Sequence, residues 1–163
     1  MSKRVALGAL VVASAAGVIM TASPASARAV TVQGTVAGSY SKLATNPDTG
    51  EAYRVTAHGH TSLGATTATG RVGGPGNIAS GRCGGRLTLS TSKGTLVVAV
   101  SSQHKVKAFA RCQSGFAFNW HTVKATGGYE GASPSGTGTL TLVKAGNASQ
   151  SPPPAYVTFD PQS

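Results

Sequence analysis

The chain has 163 residues, with 14 lysines and arginines against four aspartates and glutamates, and its formal net charge at pH 7 is +10. Such a length corresponds to one ordinary domain. Four carboxylates with no paired arrangement leave few candidates for hydrolytic acid–base catalysis. The positive charge predicts attraction to polyanions. However, the basic residues are scattered and form no run of the kind that marks a nucleic-acid-binding tail.

Residues 1–27 have the pattern of a signal peptide. Lys3 and Arg4 form a positive head, an alanine-rich apolar run covers 5–20, and small residues precede the predicted cleavage site after Ala27. We therefore predict a secreted, extracellular protein of bacterial type, and loss of Lys3 and Arg4 lowers its net charge from +10 to +8. A membrane anchor is the alternative, but the run is shorter than the roughly 20 residues that span a bilayer. The mature chain contains no other apolar segment of that kind.

Apolar and polar residues alternate through most of the mature chain, as is typical of half-buried β-strands. The predicted strands lie at 30–40, 53–60, 66–72, 86–90, 95–100, 105–112, 116–124 and 137–144. Turn residues separate them, as at 46–50 (Asn-Pro-Asp-Thr-Gly), 73–77 (Gly-Gly-Pro-Gly-Asn) and 92–94 (Ser-Lys-Gly).

About eight strands without helical periodicity predict an all-β fold, a single antiparallel β-barrel, with a β-sandwich as the alternative. Gly34, Gly59 and Gly138 lie inside predicted strands and indicate bends where the sheet closes on itself. The predicted barrel domain covers 28–146. A Pro/Ser-rich linker follows at 147–155, and 156–163 is either a last strand or a tail.

Cys83 and Cys112 are the two cysteines of the chain. In an oxidising compartment an isolated pair predicts one disulfide. A metal site or a reactive thiol is the alternative, but neither cysteine lies in a C-x-x-C motif or has a close histidine partner in sequence. We therefore predict a bond between Cys83 and Cys112.

The segment 126–141 begins with Thr-Gly, has an aromatic residue at Tyr129 followed by Gly131 and Ala132, and continues through a glycine-rich run to Leu140. This order resembles the turn-and-strand motif of the dirigent and allene oxide cyclase-like β-barrels, a superfamily with secreted bacterial members of unassigned role. The resemblance implies a barrel in which glycines turn the chain and the aromatic ring packs into the barrel end. It offers no position onto which catalytic residues can be carried, so these are unknown.

Phe116, Phe118 and Trp120 share one face of a predicted strand, so in a barrel they would point inward together. With Tyr129 they are the candidate lining of a pocket for an apolar or aromatic ligand. The alternative, which we favour, is that these rings fill the barrel as ordinary core.

His58 and His60 are two residues apart and can place two metal ligands on one side of a strand. A third nitrogen ligand would have to come from His104 or His121, and Arg54 on the same face opposes a cation. We therefore predict solvated histidines, with no metal and no cofactor.

Two classes of function remain open. The first is a non-catalytic binding or surface protein, with an apolar small ligand inside the barrel or an anionic cell-wall or extracellular partner outside. The second is a cyclase- or isomerase-type enzyme that acts on an apolar substrate in the barrel cavity, by analogy of fold. Specific nucleic-acid binding is not predicted.

Scattered charge predicts weak, salt-sensitive association with anionic surfaces. Folding could nevertheless bring Arg54, Arg71, Arg86 and Lys105 onto one barrel wall, because side chains on neighbouring strands line up across a sheet. Such a cluster would form a localised binding site for anions, in contrast to the weak attraction caused by scattered charges.

Overall fold

A computed structural model describes residues 29–43, 52–73, 81–105, 112, 114–144 and 152–161. The strands are β1 (Gly34–Lys42), β2 (Ala52–Thr61), β3 (Gly64–Gly73), β4 (Gly84–Thr91), β5 (Gly94–Ser102), β6 (Gly115–Gly127), β7 (Ser135–Leu142) and β8 (Pro154–Phe159). Within these ranges no helix is long and apolar enough to cross a membrane.

The eight strands form a closed antiparallel barrel in which each strand pairs with its neighbour in sequence. Closure comes from β8, which pairs with β7 on one side and with β1 on the other. Val36 of β1, for example, lies opposite Gly59 of β2 and Val157 of β8. The predicted barrel is confirmed, and the sandwich alternative is wrong.

The C-terminal segment, which the sequence left open as strand or tail, forms β8. Its first two residues, Pro154 and Ala155, fall within the predicted linker 147–155, so that the barrel extends beyond residue 146. Proline is tolerated at the first position of a strand because the missing N–H costs little there. The Pro154 carbonyl still accepts a hydrogen bond of 3.0 Å from the backbone N–H of Val143.

The barrel interior is filled by alternate residues of all eight strands, which form one buried cluster. The largest fully buried side chains are Phe118, Phe159, Leu87, Leu89, Leu96, Leu140 and five of the valines in the strands. The Phe159 ring stands edge-on to those of Phe118 and Trp120, with centroids 6.0 and 5.7 Å apart. This geometry suits aromatic quadrupoles and closes the β6–β8 side of the core.

A β-bulge interrupts the pairing of β5 with β6. Val97 lies opposite Lys124, whereas the next residue, Val98, lies opposite Thr122, so Val123 is the extra residue. Its side chain is 47% exposed. Because a bulge shifts the alternation by one, Ala125 rather than Lys124 packs against the core beyond it.

Gly138 of β7 lies where the Phe118 ring meets the sheet. A Cβ atom there would lie 2.4 Å from the Thr158 carbonyl oxygen and 2.6 Å from Cζ of Phe118. Both distances are shorter than real carbon contacts, and the oxygen belongs to backbone that cannot rotate away. Glycine is therefore required by close approach.

Replacing Gly138 with alanine should destabilise the barrel by about 1–3 kcal/mol, because the methyl group must displace β8 or Phe118. The measurement is urea unfolding followed by circular dichroism. Gly131→Ala is not a neutral control, because an alanine at the Gly131 φ of 79° would itself be strained. Ala117→Gly, at an exposed β6 position, measures the difference in stability between alanine and glycine at an uncrowded strand position. This difference should be about 1 kcal/mol or less. An unchanged Gly138→Ala midpoint would contradict the close approach.

The segment 126–141 covers the end of β6, the turn that follows it and most of β7. Gly127 and Gly131 have φ values of 64° and 79°, which an L-residue adopts only with strain. Tyr129 is buried, and its hydroxyl lies 2.7 Å from Oγ1 of Thr91 at the end of β4. The glycines thus turn the chain, and the aromatic ring packs into the barrel end.

Cys83 and Cys112 form a disulfide with their Cα atoms 5.9 Å apart, as predicted. Both residues are buried. The bond connects the residue before β4 to the short segment before β6, and β5 lies between these two strands in the barrel.

Several predicted elements lie outside the described residues. They are the signal peptide 1–27, the turn 46–50, most of the loop 73–77, most of the strand 105–112 and the first part of the linker. Of the predicted strand 105–112, Lys105 is described and is not in a strand.

Candidate functional site

Three arginines lie side by side on the outer wall of the barrel. Arg54 of β2 is directly opposite Arg71 of β3, and Arg71 is directly opposite Arg86 of β4. All three side chains are exposed. Directly opposite residues have Cβ atoms about 4.5–5.5 Å apart, so the three arginine side chains project from one continuous row across the strands.

A row of threonines runs beside the arginines on the same three strands. Thr56 of β2 is opposite Thr69 of β3, and Thr69 is opposite Thr88 of β4. Thr56 and Thr69 are exposed, and Thr88 is half-buried. We call this surface the Arg–Thr patch, and it consists of Arg54, Arg71, Arg86, Thr56, Thr69 and Thr88.

The two rows arise from a short pattern that the chain repeats in alternate directions. Residues 54–56 read Arg-Val-Thr, residues 69–71 read Thr-Gly-Arg, and residues 86–88 read Arg-Leu-Thr. Since neighbouring strands are antiparallel, the reversed order on β3 aligns arginine with arginine and threonine with threonine. The central residues of the first and third triplets, Val55 and Leu87, are fully buried and anchor the patch to the core. The central residue of the second triplet is Gly70, which has no side chain.

An open cavity of about 620 Å³ lies at the β2–β3 part of the patch, lined by Leu43, Arg54, Thr56, Thr69, Gly70 and Arg71. Small or apolar side chains border the patch. On β1 the residues opposite Thr56 and Arg54 are Ser39 and Ser41, and on β5 those opposite Thr88 and Arg86 are Val97 and Ala99. The patch is therefore a shallow cationic strip without an aromatic neighbour at these positions.

Negative charge among the described residues lies on the other side of the barrel. Glu130 is in the β6–β7 turn, and Asp160 follows β8 and accepts a 2.9 Å hydrogen bond from the Thr137 hydroxyl. The other two acids, Asp48 and Glu51, lie outside the described residues. Like charges directly opposite each other on a sheet lower stability, so the arginine row has a cost in the free protein.

Lys105 is not part of the row. It follows β5, and the β5 residue opposite Arg86 is Ala99. Arg82, just before β4, has a structural role, because its guanidinium donates hydrogen bonds to the carbonyls of Ser102 and Gln103.

The candidate pocket residues occupy the interior at different depths. Phe118 and Trp120 are buried, and Phe116 is half-buried with its ring centroid 6.3 Å from that of Phe118. The Trp120 Nε1–H donates a 3.1 Å hydrogen bond to the Thr137 carbonyl. Tyr129 lies at the end of the barrel, in contact with the same buried cluster.

The interior holds few polar groups in the described part of the chain. Thr66 donates its hydroxyl to the Gly64 carbonyl at 2.9 Å, and Ser102 donates to the His104 carbonyl at 2.8 Å. Among the described residues no buried side-chain nitrogen or oxygen lacks a hydrogen-bond partner. These hydroxyls are therefore engaged by backbone rather than aimed at a ligand.

His58 and His60 lie on the outer face of β2, beyond Thr56. The His58 Nδ1 atom is 3.0 Å from the Thr67 hydroxyl across the strand pair. No group of three or more metal-ligating side chains gathers within the ranges that the structure describes. The pair continues the polar outer face of β2.

The threonine row was missed in the sequence analysis, although its signal is present. The three Arg/Thr triplets are visible in the sequence, but their alignment depends on strand register. The two-residue turn Ser62-Leu63 sets the register of β2 with β3, whereas the β3–β4 connection includes residues that the structure leaves undescribed.

Comparison of this chain with protein-family profiles, with curated proteins and with solved structures found no match. The resemblance of 126–141 to the dirigent and allene oxide cyclase-like motif stays a prediction. The geometry defines the class as an eight-stranded up-and-down β-barrel with a cationic strip on its outer wall.

Proposed function

We propose that this chain is a secreted, non-catalytic binding protein that holds an anionic polymer of the cell wall or extracellular space on its Arg–Thr patch. The observation that carries the proposal is the direct cross-strand alignment of Arg54, Arg71 and Arg86. Secretion rests on the signal-peptide pattern of 1–27, and the disulfide is compatible with an oxidising compartment.

Electrostatics favour a ligand at this place on the barrel. Three adjacent cations repel one another in the free protein, and Arg71 has a neighbour on each side. An anion placed between two guanidinium groups replaces that repulsion with charge-assisted hydrogen bonds, which arginine can make in pairs to one oxyanion. A polymer with several charges would contact all three arginines at once.

The alternatives inside the barrel receive no support from this geometry. An apolar ligand or a cyclase- or isomerase-type reaction needs open space among the inward side chains. Phe118 and Trp120 instead pack against Phe159 within one buried cluster. The buried hydroxyls of the described interior are bonded to backbone.

The test is the salt dependence of binding to labelled inorganic polyphosphate, measured by fluorescence anisotropy. Three arginine contacts predict a slope of log affinity against log salt of about −2 to −3, because each contact releases a condensed counterion. In the variant Arg71→Ser/Arg86→Ser, affinity at low salt should fall at least tenfold, and the slope should become shallower by about 1.5–2.

The matched control is Lys93→Ser/Lys144→Ser, which removes the same charge from exposed positions in the β4–β5 turn and after β7. It should change affinity and slope only slightly. Equal losses in both variants would mean that net charge alone drives adhesion, which overturns the proposal. The arginine variant should keep its melting temperature or gain slightly, since it loses a like-charge contact.

A further inference from the structure

We infer that the threonine row makes the patch selective for a linear phosphodiester polymer without bases, such as a polyol phosphate chain, over polycarboxylates. This inference rests on the proposed function and names the partner of the same surface. Its basis is the placement of a hydroxyl two residues from each arginine, at Thr56, Thr69 and Thr88.

The hydroxyls of the threonine row are available to a ligand. Elsewhere on the barrel, outer-wall threonines pair with each other, as Thr35 does with Thr158 at 3.0 Å and Thr95 with Thr126 at 2.6 Å. Within the described part of the chain, no hydrogen bond involves the side chains of Thr56 and Thr69. Both also line the open cavity with Arg54 and Arg71.

The shape of the anion decides what two guanidinium groups and two hydroxyls can hold together. Residues i and i+2 of a strand are about 6.7 Å apart, so donors in the two rows approach a ligand from different directions. A carboxylate has two oxygens in one plane, which one arginine fork can satisfy alone. In a tetrahedral phosphodiester the two ester oxygens lie outside the plane of the two charged oxygens. An arginine fork can therefore hold the charged pair while a threonine hydroxyl donates a hydrogen bond to an ester oxygen.

The form of the patch favours a chain whose charges lie on its own backbone. The arginines stand in single file across three strands, and the flanking residues Ser41 and Ala99 add no further charge to the row. A polymer with one phosphodiester in every backbone repeat presents its charges in a similar line. A sulfated polysaccharide instead carries its charges on pendant groups.

The residues described beside the patch offer no stacking surface, which argues against a single-stranded nucleic acid. Proteins that bind such strands place aromatic rings under successive bases. The residues that border the patch on β1 and β5 are Ser39, Ser41, Val97 and Ala99, none of them aromatic. Recognition here is therefore limited to the charged backbone.

The experiment compares four labelled probes with ten charges each: a glycerol-phosphate decamer, a glutamate decamer, a deoxythymidine undecamer and a sulfated dextran fragment. The glycerol-phosphate decamer should bind at least fivefold more tightly than the glutamate decamer. In Thr56→Val/Thr69→Val its affinity should fall at least tenfold, because two hydrogen bonds to a charged group are lost. Affinity for the glutamate decamer should change less than twofold.

The matched control is Thr139→Val/Thr141→Val, at exposed positions of β7, which should leave all four affinities unchanged. Valine preserves shape and strand propensity, so folding is retained. Equal binding of the glycerol-phosphate and glutamate decamers overturns this inference but leaves the proposed function standing. Tighter binding of the deoxythymidine or sulfated probe overturns the choice of polymer. Failure of all four probes to bind overturns the proposed function itself.

Discussion

Replacing Trp120 with alanine should destabilise the barrel by about 3–5 kcal/mol, the range for truncating a large buried ring. The side chain is 2% exposed and stands edge-on to Phe159 at 5.7 Å. Two costs add up, because the variant leaves a cavity in the core and removes the Nε1–H donor from the Thr137 carbonyl. Since Trp120 is the one tryptophan in the chain, unfolding by urea has to be followed by circular dichroism.

The variant Trp120→Phe separates the two costs. It keeps an aromatic ring beside Phe159 but removes the hydrogen bond and part of the volume, so a loss of about 1–2 kcal/mol is expected. Asn119→Ala, at the exposed neighbouring position on β6, should remain within about 0.5 kcal/mol. A loss below about 1 kcal/mol for Trp120→Ala would contradict the inward position of the ring and with it the alternation of β6.

The strand alternation could be predicted from the sequence because one face of each strand meets the core and the other meets water. Val55 and Ala57 on β2, and Leu87 and Leu89 on β4, recur at a spacing of two residues and are fully buried. Residue 123 could not be placed in the same way, because a bulge is set by the pairing of two strands rather than by one pattern. The end of the chain was ambiguous because a proline-rich stretch precedes β8, and its strand character depends on bonds to β1 and β7.

The candidate site was predictable only in part. Cross-strand alignment could bring Arg54, Arg71 and Arg86 together, and the register does so. The sequence could not exclude Lys105 from that wall, because the end of β5 was not marked by any strong turn signal. Hydroxyl rows are also hard to recognise in a chain rich in threonine, since only neighbouring arginines distinguish one threonine from another.

Stability and binding place opposite demands on the β2–β4 wall. The inward residues Val55 and Leu87 hold the strands against the core, whereas the outward arginines repel one another. A barrel can tolerate that repulsion because the strands of a closed sheet are hydrogen-bonded on both sides, as β3 is by β2 and β4. The patch therefore lies on a hydrogen-bonded sheet, which would reduce the entropy lost in the proposed binding of a polymer.

Removal of the disulfide should have an effect of similar size to that of Trp120→Ala. The bond between Cys83 and Cys112 joins residues 29 positions apart, and in the chain-entropy model a loop of this length contributes about 3.5 kcal/mol. Cys83→Ala/Cys112→Ala is the suitable variant, because alanine leaves no unpaired hydroxyl at these buried positions. The melting temperature should fall by roughly 10–15 °C for a domain of this size.

The comparison with reductant tests whether the bond itself is responsible. Adding a thiol reductant should lower the melting temperature of the natural protein to that of the double variant and leave the variant unchanged. We expect the native structure to survive in the variant, because backbone atoms of residue 83 also bind Ser102. The Ser102 N–H donates a 2.7 Å hydrogen bond to the carbonyl of residue 83, and the N–H of residue 83 donates a 3.1 Å hydrogen bond to the Ser102 hydroxyl. The loss of stability is therefore expected mainly from the unfolded state, because the unfolded chain gains conformational entropy when the loop is no longer closed. Two reactive thiols per chain in unfolded, unreduced protein would show that no bond forms.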